Sequence, residues 1–342
     1  LGLVLFAATI VFLRDYDVLE RYRYVIATIG IGLLLLPRVP GIGAQVNGAY
    51  LGIKLGPLTF QPAEFAKICL VIFLASYLRE HREVLVVGAK KVAGITLPPL
   101  KHLGPLLVVW GASMFMLVFI RDLGSSLMFF GAFLALLYVA TAEVSFVAIG
   151  LLMFVAGSWF FTQTVAHVHQ RVDIWLDPFK DASGNGYQIA QSLFAQADGG
   201  LFGKGFGGSL LYLGPHHTQP ILPAPQTDTI YALIVDDLGL FGASAVIVIY
   251  GLIALRGFKT ALIADDGFSK LLATGLTAVF ALQAFVIIGG VTRVIPLTGV
   301  TLPFISYGGS SILANFILLA LLLMISDKAR RHARLQEEAE LL

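Results

Sequence analysis

The residue best suited to moving a proton is Asp228. It lies in the string ILPAPQTDTIYA (Ile221–Ala232), just ahead of an apolar segment. An ionisable group held at a membrane surface marks a candidate functional site. An ordinary aspartate is ionised at neutral pH and can accept a proton as general base. Two more acids, Asp236 and Asp237, follow. On a helix, Asp228 and Asp236 would stand about 12 Å apart along the axis. Two carboxylates that act together across one bond stand about 5–9.5 Å apart. Asp228 is therefore the lone candidate base, and Asp236 and Asp237 are expected to be structural or metal-linked.

Other polar groups are weighed the same way. Glu64 and Lys67 share a helix face at i,i+3 in QPAEFAK, and are expected to form a structural ion pair within a membrane segment. The run GGLFGKGFGG (Gly199–Gly208) has six glycines in ten residues. It has neither the preceding strand of a dinucleotide fold nor the GK[ST] of a phosphate loop. Its glycines are read as permitting tight turns and close backbone approach to a ligand or to lipid headgroups. Lys204 within it could face a phosphate or only water. His167/His169 and His216-His217 are read as loop histidines, since no cysteine or carboxylate completes a ligand set. No metal site is expected from them. Ser310-Ser311 have no nucleophile elbow and are read as capping the helix that follows. Cys69 is a lone small residue in an apolar run, which excludes an internal disulfide.

These groups sit in a chain of 342 residues that is 57% hydrophobic and 13% charged, with mean hydropathy +0.85. Soluble domains carry about 25% charged residues. The chain is thus read as an integral membrane protein, and the net charge of +2 gives no reason to expect nucleic acid as a partner. Apolar runs predict spans at Leu1–Leu13, Tyr24–Leu36, Ala63–Leu78, Leu103–Ile120, Leu123–Thr141, Ser145–Val165, Leu238–Leu255, Leu271–Thr292 and Phe304–Ile325. One helix over 103–141 would be about 58 Å long, so it must turn at Arg121-Asp122. The chain begins at Leu1 in mid-run, which predicts a further membrane segment before it. Only helices or closed barrels satisfy the backbone in lipid, so the expected fold is an all-α polytopic transmembrane bundle, one domain over 1–342.

The polar stretch 166–228 is long for a loop without a task. Lys/Arg counts orient it. Loops 14–23, 79–102, 256–270 and 326–342 hold fifteen of the 23 Lys/Arg, and the opposite loops hold seven. The basic set is read as cytoplasmic, so loop 166–228 and Asp228 face outward. The outward cations are Lys54, Arg121, Arg171, Lys204 and Arg293, with Arg38 and Lys180 on the same side.

Several strings together resemble the SEDS family (shape, elongation, division and sporulation; RodA- and FtsW-like). They are LGPLTFQPAEFAK (Leu55–Lys67), RDLGSSLMFFGAFLALLYVAT (Arg121–Thr141), RVDIWLDPF (Arg171–Phe179), GYQIAQSLFAQADGGLFGKGFG (Gly186–Gly207) and TRVIPLTGVTLPFISYGGSS (Thr292–Ser311). The last is the most specific, and the likeness covers essentially the whole chain. The resemblance implies ten spans, of which the first and part of the second are missing here. It implies a peptidoglycan glycosyltransferase of the bacterial cytoplasmic (inner) membrane that polymerises lipid II into glycan strands outside the cell during elongation or division. It also implies a class B penicillin-binding protein as partner. The family's essential acid lies in a string like LPExHTDFIFA, which matches LPAPQTDTIYA and falls on Asp228. The chain departs from the family at NGAYLG (Asn47–Gly52, against NGARRW), at QTDT against HTDF, and at VDDLGL against GEELGL.

The implied reaction is glycosyl transfer with inversion. Asp228 would take the proton of a sugar 4-hydroxyl, and a lipid-linked pyrophosphate would leave. Lys54, Arg121, Arg171, Lys204 and Arg293 are the candidates for neutralising that leaving group. No cofactor is fixed by the sequence; a divalent cation, Mg or Mn, is the alternative. Membrane lipids surround the spans. Two other functions fit a many-span bundle: a lipid II flippase, and a scaffold that recruits a penicillin-binding protein.

Overall fold

The computed structural model describes residues 1–46, 49–55, 58–87, 90–92, 95–97, 111–112, 115, 122–210, 212–213 and 219–340. Within them the helices are α1 (Gly2–Leu13), α2 (Asp17–Arg21), α3 (Arg23–Leu35), α4 (Pro62–Val87), α5 (Leu123–Thr141), α6 (Val144–Thr164), α7 (Ala166–Leu176), α8 (Tyr187–Gly199), α9 (Ile230–Ile263), α10 (Gly267–Val291) and α11 (Gly309–Glu340). A three-stranded antiparallel sheet, β1 (Gly43–Val46), β2 (Ala49–Leu55) and β3 (Leu58–Phe60), stands between α3 and α4. Two short hairpins, Lys90–Val92 with Ile95–Leu97 and Tyr212–Leu213 with Gln219–Pro220, complete the strands.

Five described helices are long and apolar enough to cross a membrane: α5, α6, α9, α10 and Gly309–Leu335 of α11. Helices α1 and α3 fall short in length, with 12 and 13 residues. Helix α4 runs past the expected Leu78 into a charged end at Arg79, Glu80, Arg82 and Glu83. The expected span Leu103–Ile120 lies outside the described residues apart from 111–112 and 115. The turn expected at Arg121-Asp122 is followed by a capped helix start. Asp122 accepts the Ser125 N–H at 2.9 Å and the Ser125 hydroxyl at 2.5 Å, and α5 begins at Leu123.

The chain forms two compact units, each assembled from separate segments. The first comprises Leu1–Ser158, Ala254–Phe280 and Gly309–Leu342. Its buried apolar residues include Ala66, Val71 and Ala75 of α4, Phe130, Phe133 and Leu136 of α5, and Leu272 and Leu276 of α10. Gly275 permits close packing there, since a Cβ on it would lie 2.6 Å from Val71 and 3.1 Å from Leu136. Small residues let membrane helices approach closely. Gly275→Val is therefore expected to destabilise by about 1–3 kcal/mol through overpacking. A thermal melt in detergent reads this as a lower midpoint.

Within the same unit Lys67 donates to Glu64 at 2.6 Å, with both side chains buried. The four basic loops grouped by charge also meet there. Tyr16, Arg79, Asp266 and Lys328, one from each loop or its flanking helix end, line one cavity of about 310 Å³. Lys328 pairs with Asp17, Arg79 with Glu20, and Tyr16 with Ser269. This brings a residue of each of those four loops, or of its flanking helix end, together around one cavity.

One reading is corrected here. Helix α11 starts at Gly309, so Ser310 lies inside its first turn rather than capping it. The Ser310 hydroxyl accepts the Gln61 N–H at 2.9 Å, and the Ser311 hydroxyl accepts from Asn315.

The second unit comprises Trp159–Ile253 and Ala281–Gly308. Its apolar centre is Leu222, Tyr231, Ala232, Val235, Ala243 and Val291. The stretch read as a loop over 166–228 holds two α-helices, α7 and α8, and a short 3-10 turn at Pro178–Asp181. Both helices are amphipathic, with Val168, Ile189 and Ala190 buried. Their polar faces hide them from a search for continuous apolar runs.

Candidate active site

Asp228 sits in a tight turn two residues before α9. Four bonds close the turn. The Thr227 and Thr229 N–H groups donate to the Ala224 carbonyl at 3.1 and 3.3 Å, the Thr227 hydroxyl donates to it at 3.4 Å, and the Thr229 hydroxyl donates to the Pro223 carbonyl at 2.7 Å. Ala224 itself takes a left-handed φ of 50°.

The same turn is stitched to residues 297–307. The Gln226 carbonyl accepts the Tyr307 N–H at 2.7 Å, and the Thr227 carbonyl accepts the Ser306 hydroxyl at 2.9 Å. Gly299 adopts φ +73°, and a Cβ on it would lie 3.7 Å from the Asp228 carboxylate. Beside it, the buried Thr298 hydroxyl has no hydrogen-bond partner among the described residues. Gln283 of α10 donates to the Thr301 carbonyl at 2.8 Å and braces the segment from below.

Arg171 of α7 completes the group. Its guanidinium donates to the Leu297 carbonyl at 2.7 Å, which aims it along the same segment. Burial pushes the Asp228 carboxyl above its ordinary value of 3.8; the Arg171 charge and a hydrogen bond with the Thr227 side chain oppose that shift without cancelling it. A desolvated carboxylate near a guanidinium is a stronger base than one in water, and the cation keeps it available in ionised form.

The remaining candidates are placed as follows. Arg293 donates to the Trp175 carbonyl at 2.7 Å and to the Leu176 carbonyl, while Trp175 donates back to the Arg293 carbonyl at 3.0 Å. It clamps the end of α7. Lys204 pairs with Asp236 at 2.8 Å and Asp198 at 3.3 Å, and these acids, Asp236 foremost, raise its pKa. Its charge is thereby spent within the fold. Arg121 and the side chain of Lys54 lie outside the described residues; the Lys54 backbone pairs with Thr59 in the sheet.

Of the histidines, His216-His217 lie outside the described residues. His169 is corrected from a loop position to α7, where Asp173 one turn on lies 3.1 Å from its ring. That carboxylate was overlooked because the stretch was not read as helical. Among the described residues no three His, Cys, Asp or Glu side chains gather as a metal site.

Asp237 has a structural task. Its carboxylate accepts the N–H groups of Gly207 and Ser209 at 2.9 and 3.0 Å, and also the Ser209 hydroxyl. Hydrogen bonds to a charged group are worth about 1.5–3 kcal/mol each. Asp237→Ala is expected to release the Gly-rich run. Limited proteolysis should then cut between Gly203 and Gly208 faster than in the parent protein, with Asp237→Asn intermediate.

Sequence reading named Asp228 and Arg171 as separate candidates and did not foresee that the charge of one acts on the carboxyl of the other. It missed Thr227, Thr298, Gly299, Ser306 and Tyr307. The dense run of Gly, Pro and Ser in TGVTLPFISYGGSS was the available signal for a shaped, non-helical segment.

Comparison with known proteins bears on this arrangement. A family model for FtsW, RodA and SpoVE, described as "Cell cycle protein", matches residues 1–331. The chain is 44% identical over 335 residues to "Peptidoglycan glycosyltransferase RodA" of Mycobacterium tuberculosis, covering 97% of this chain and 70% of the relative. It is 33% identical to "Stage V sporulation protein E" of Bacillus subtilis, covering 92% of this chain and 82% of that one. Among solved structures, one reported under "Structural coordination of polymerization and crosslinking by a peptidoglycan synthase complex" superposes with TM-score 0.72 at 26% identity, over 96% of this chain and 88% of that one. An aspartate-to-alanine variant of the Thermus thermophilus rod shape determining protein RodA superposes with TM-score 0.62 at 25% identity, over 96% and 85% of the two chains.

Proposed function

The chain belongs to the FtsW/RodA/SpoVE family, and from that membership we propose that it is a multi-pass membrane peptidoglycan glycosyltransferase using Asp228 as general base. Lipid II is the proposed substrate. The observation that carries the reading is the single desolvated carboxylate, held in a closed turn beside Arg171 and Gly299.

The bond changes are simple. The 4-hydroxyl of one lipid-linked sugar gives its proton to the Asp228 carboxylate as its oxygen attacks the anomeric carbon of the other. The bond from that carbon to the pyrophosphate breaks with inversion, and the lipid pyrophosphate leaves as an anion. The proton then passes from Asp228 to water. Pyrophosphate is already a stabilised anion, so a cation rather than an acid serves its departure. Arg171 supplies that charge on this side. Lys54 and Arg121 remain the proposed contributors outside the described residues, alongside Lys204 and Arg293 should either exchange its present partners for phosphate. A divalent cation, Mg or Mn, is the proposed alternative source of that positive charge.

A class B penicillin-binding protein is the proposed partner, in keeping with the synthase complex that the chain resembles. The proposed setting is the cytoplasmic membrane with Asp228 outward, following the distribution of Lys/Arg. The relatives' enzymatic names lend no support to the flippase and scaffold alternatives.

The test is polymerisation of purified lipid II in detergent, where flipping has no meaning, with the protein alone and with a class B penicillin-binding protein of the same cell. Glycan ladders on a gel are the expected result. No ladder in either mixture overturns the reading.

A further inference from the structure

The Gly-rich run is folded more tightly than its composition suggests. The Gly203 N–H donates to the Gly199 carbonyl, Lys204 to the Asp236 carbonyl and Gly205 to the Asp237 carbonyl, at 2.8–2.9 Å. Gly207 and Ser209 donate to the Asp237 carboxylate, and Gly208 to the Gly205 carbonyl. Leu240 and Phe241 donate back to the Gly200 and Leu201 carbonyls at 2.9 and 3.1 Å. The run is thus a strap zipped onto α9 where that helix breaks at Gly239, with φ 69° and ψ −175°. Only glycine fits the crossing: a Cβ on Gly203 would lie 2.2 Å from the Asp237 carbonyl oxygen, and one on Gly239 2.3 Å from the Leu201 carbonyl oxygen.

The strap turns its large apolar side chains outward. Phe202 is 82% exposed, Phe206 92% and Phe241 76%, with Leu201, Leu210 and Leu240 each more than half exposed. A patch of this kind on a rigid backbone marks an interaction surface. The N–H groups of Gly203, Lys204, Gly205, Gly207, Gly208 and Ser209 are meanwhile satisfied within the fold, which lowers the cost of bringing this irregular stretch to hydrocarbon.

We propose that this strap is a membrane anchor, with Phe202, Phe206 and their neighbours set into the lipid leaflet on the Asp228 side. One observation favours lipid over a protein partner. The patch leads into the exposed face of a membrane-spanning helix, through Phe241 to Val248 and Leu252.

This assignment stands without the catalytic reading. With that reading, the strap fixes the short helical segment after Asp228 at the level where a lipid-linked pyrophosphate meets water.

The test uses the full chain with Cys69→Ala and one new cysteine, Phe202→Cys or Phe206→Cys, carrying a nitroxide label. Ser183→Cys, at an exposed turn, is the aqueous control. In phosphatidylethanolamine–phosphatidylglycerol vesicles, power saturation compares access of oxygen with access of a nickel chelate. Labels at 202 and 206 are expected to favour oxygen several-fold more than the label at 183. A chelate preference like that at 183 overturns the proposal and makes the strap water-facing. Protection from both reagents also overturns it and makes the strap a protein-docking surface.

Discussion

Asp228→Asn is expected to lower lipid II polymerisation by about 10²–10⁴-fold, the usual loss when a positioned base is removed, while raising rather than lowering the thermal midpoint at neutral pH. The sign follows from the carboxyl's raised pKa. The folded protein holds that proton more tightly than the unfolded chain does. Ionised Asp228 therefore opposes folding, beginning as pH rises through the ordinary value of 3.8 and fully once pH exceeds the folded value. An amide carries no charge to desolvate and escapes this penalty. Loss of activity together with loss of stability would instead make Asp228 a structural residue.

Arg171→Gln carries the second large effect. Removing one charge aimed at a reacting group costs on the order of 10²-fold. Polymerisation should also change its pH dependence. The parent rate falls on acidification as Asp228 takes up its proton, at a pH above its ordinary value of 3.8. Arg171 holds that midpoint down, so its loss moves the acid limb to higher pH. Arg171→Lys keeps the charge but forfeits the directed bond to the Leu297 carbonyl. It should restore the position of the acid limb more fully than the rate. An unmoved acid limb in Arg171→Gln would separate the two residues.

What sequence could reveal depended on distance along the chain. The span read at Leu123–Thr141 coincides with helix α5, because an apolar run and the charged break at Arg121-Asp122 are local signals. The candidate base was legible for a similar reason, as an acid at the edge of an apolar run. Helix α9 was placed too short, at Leu238–Leu255, because Asp236 and Asp237 interrupt the hydropathy. Both acids are used up within the fold, by Lys204 and by the strap. The close-approach role read for the glycines proved correct in kind, although the object approached is the backbone of residues 235–239. The electrostatic influence of Arg171 on Asp228 joins residues far apart in sequence, with Arg171 bonded to the Leu297 carbonyl. No local pattern encodes it.

The Glu64–Lys67 bond has a consequence for how the protein is made. An unpaired charge is costly wherever a helix is buried in apolar surroundings, and Glu64 and Lys67 sit buried in the first two turns of α4. Because the pair is i,i+3 within one helix and closes at 2.6 Å, the bond can form as soon as those turns wind. Each charge then has its counter-ion before any other helix packs against it.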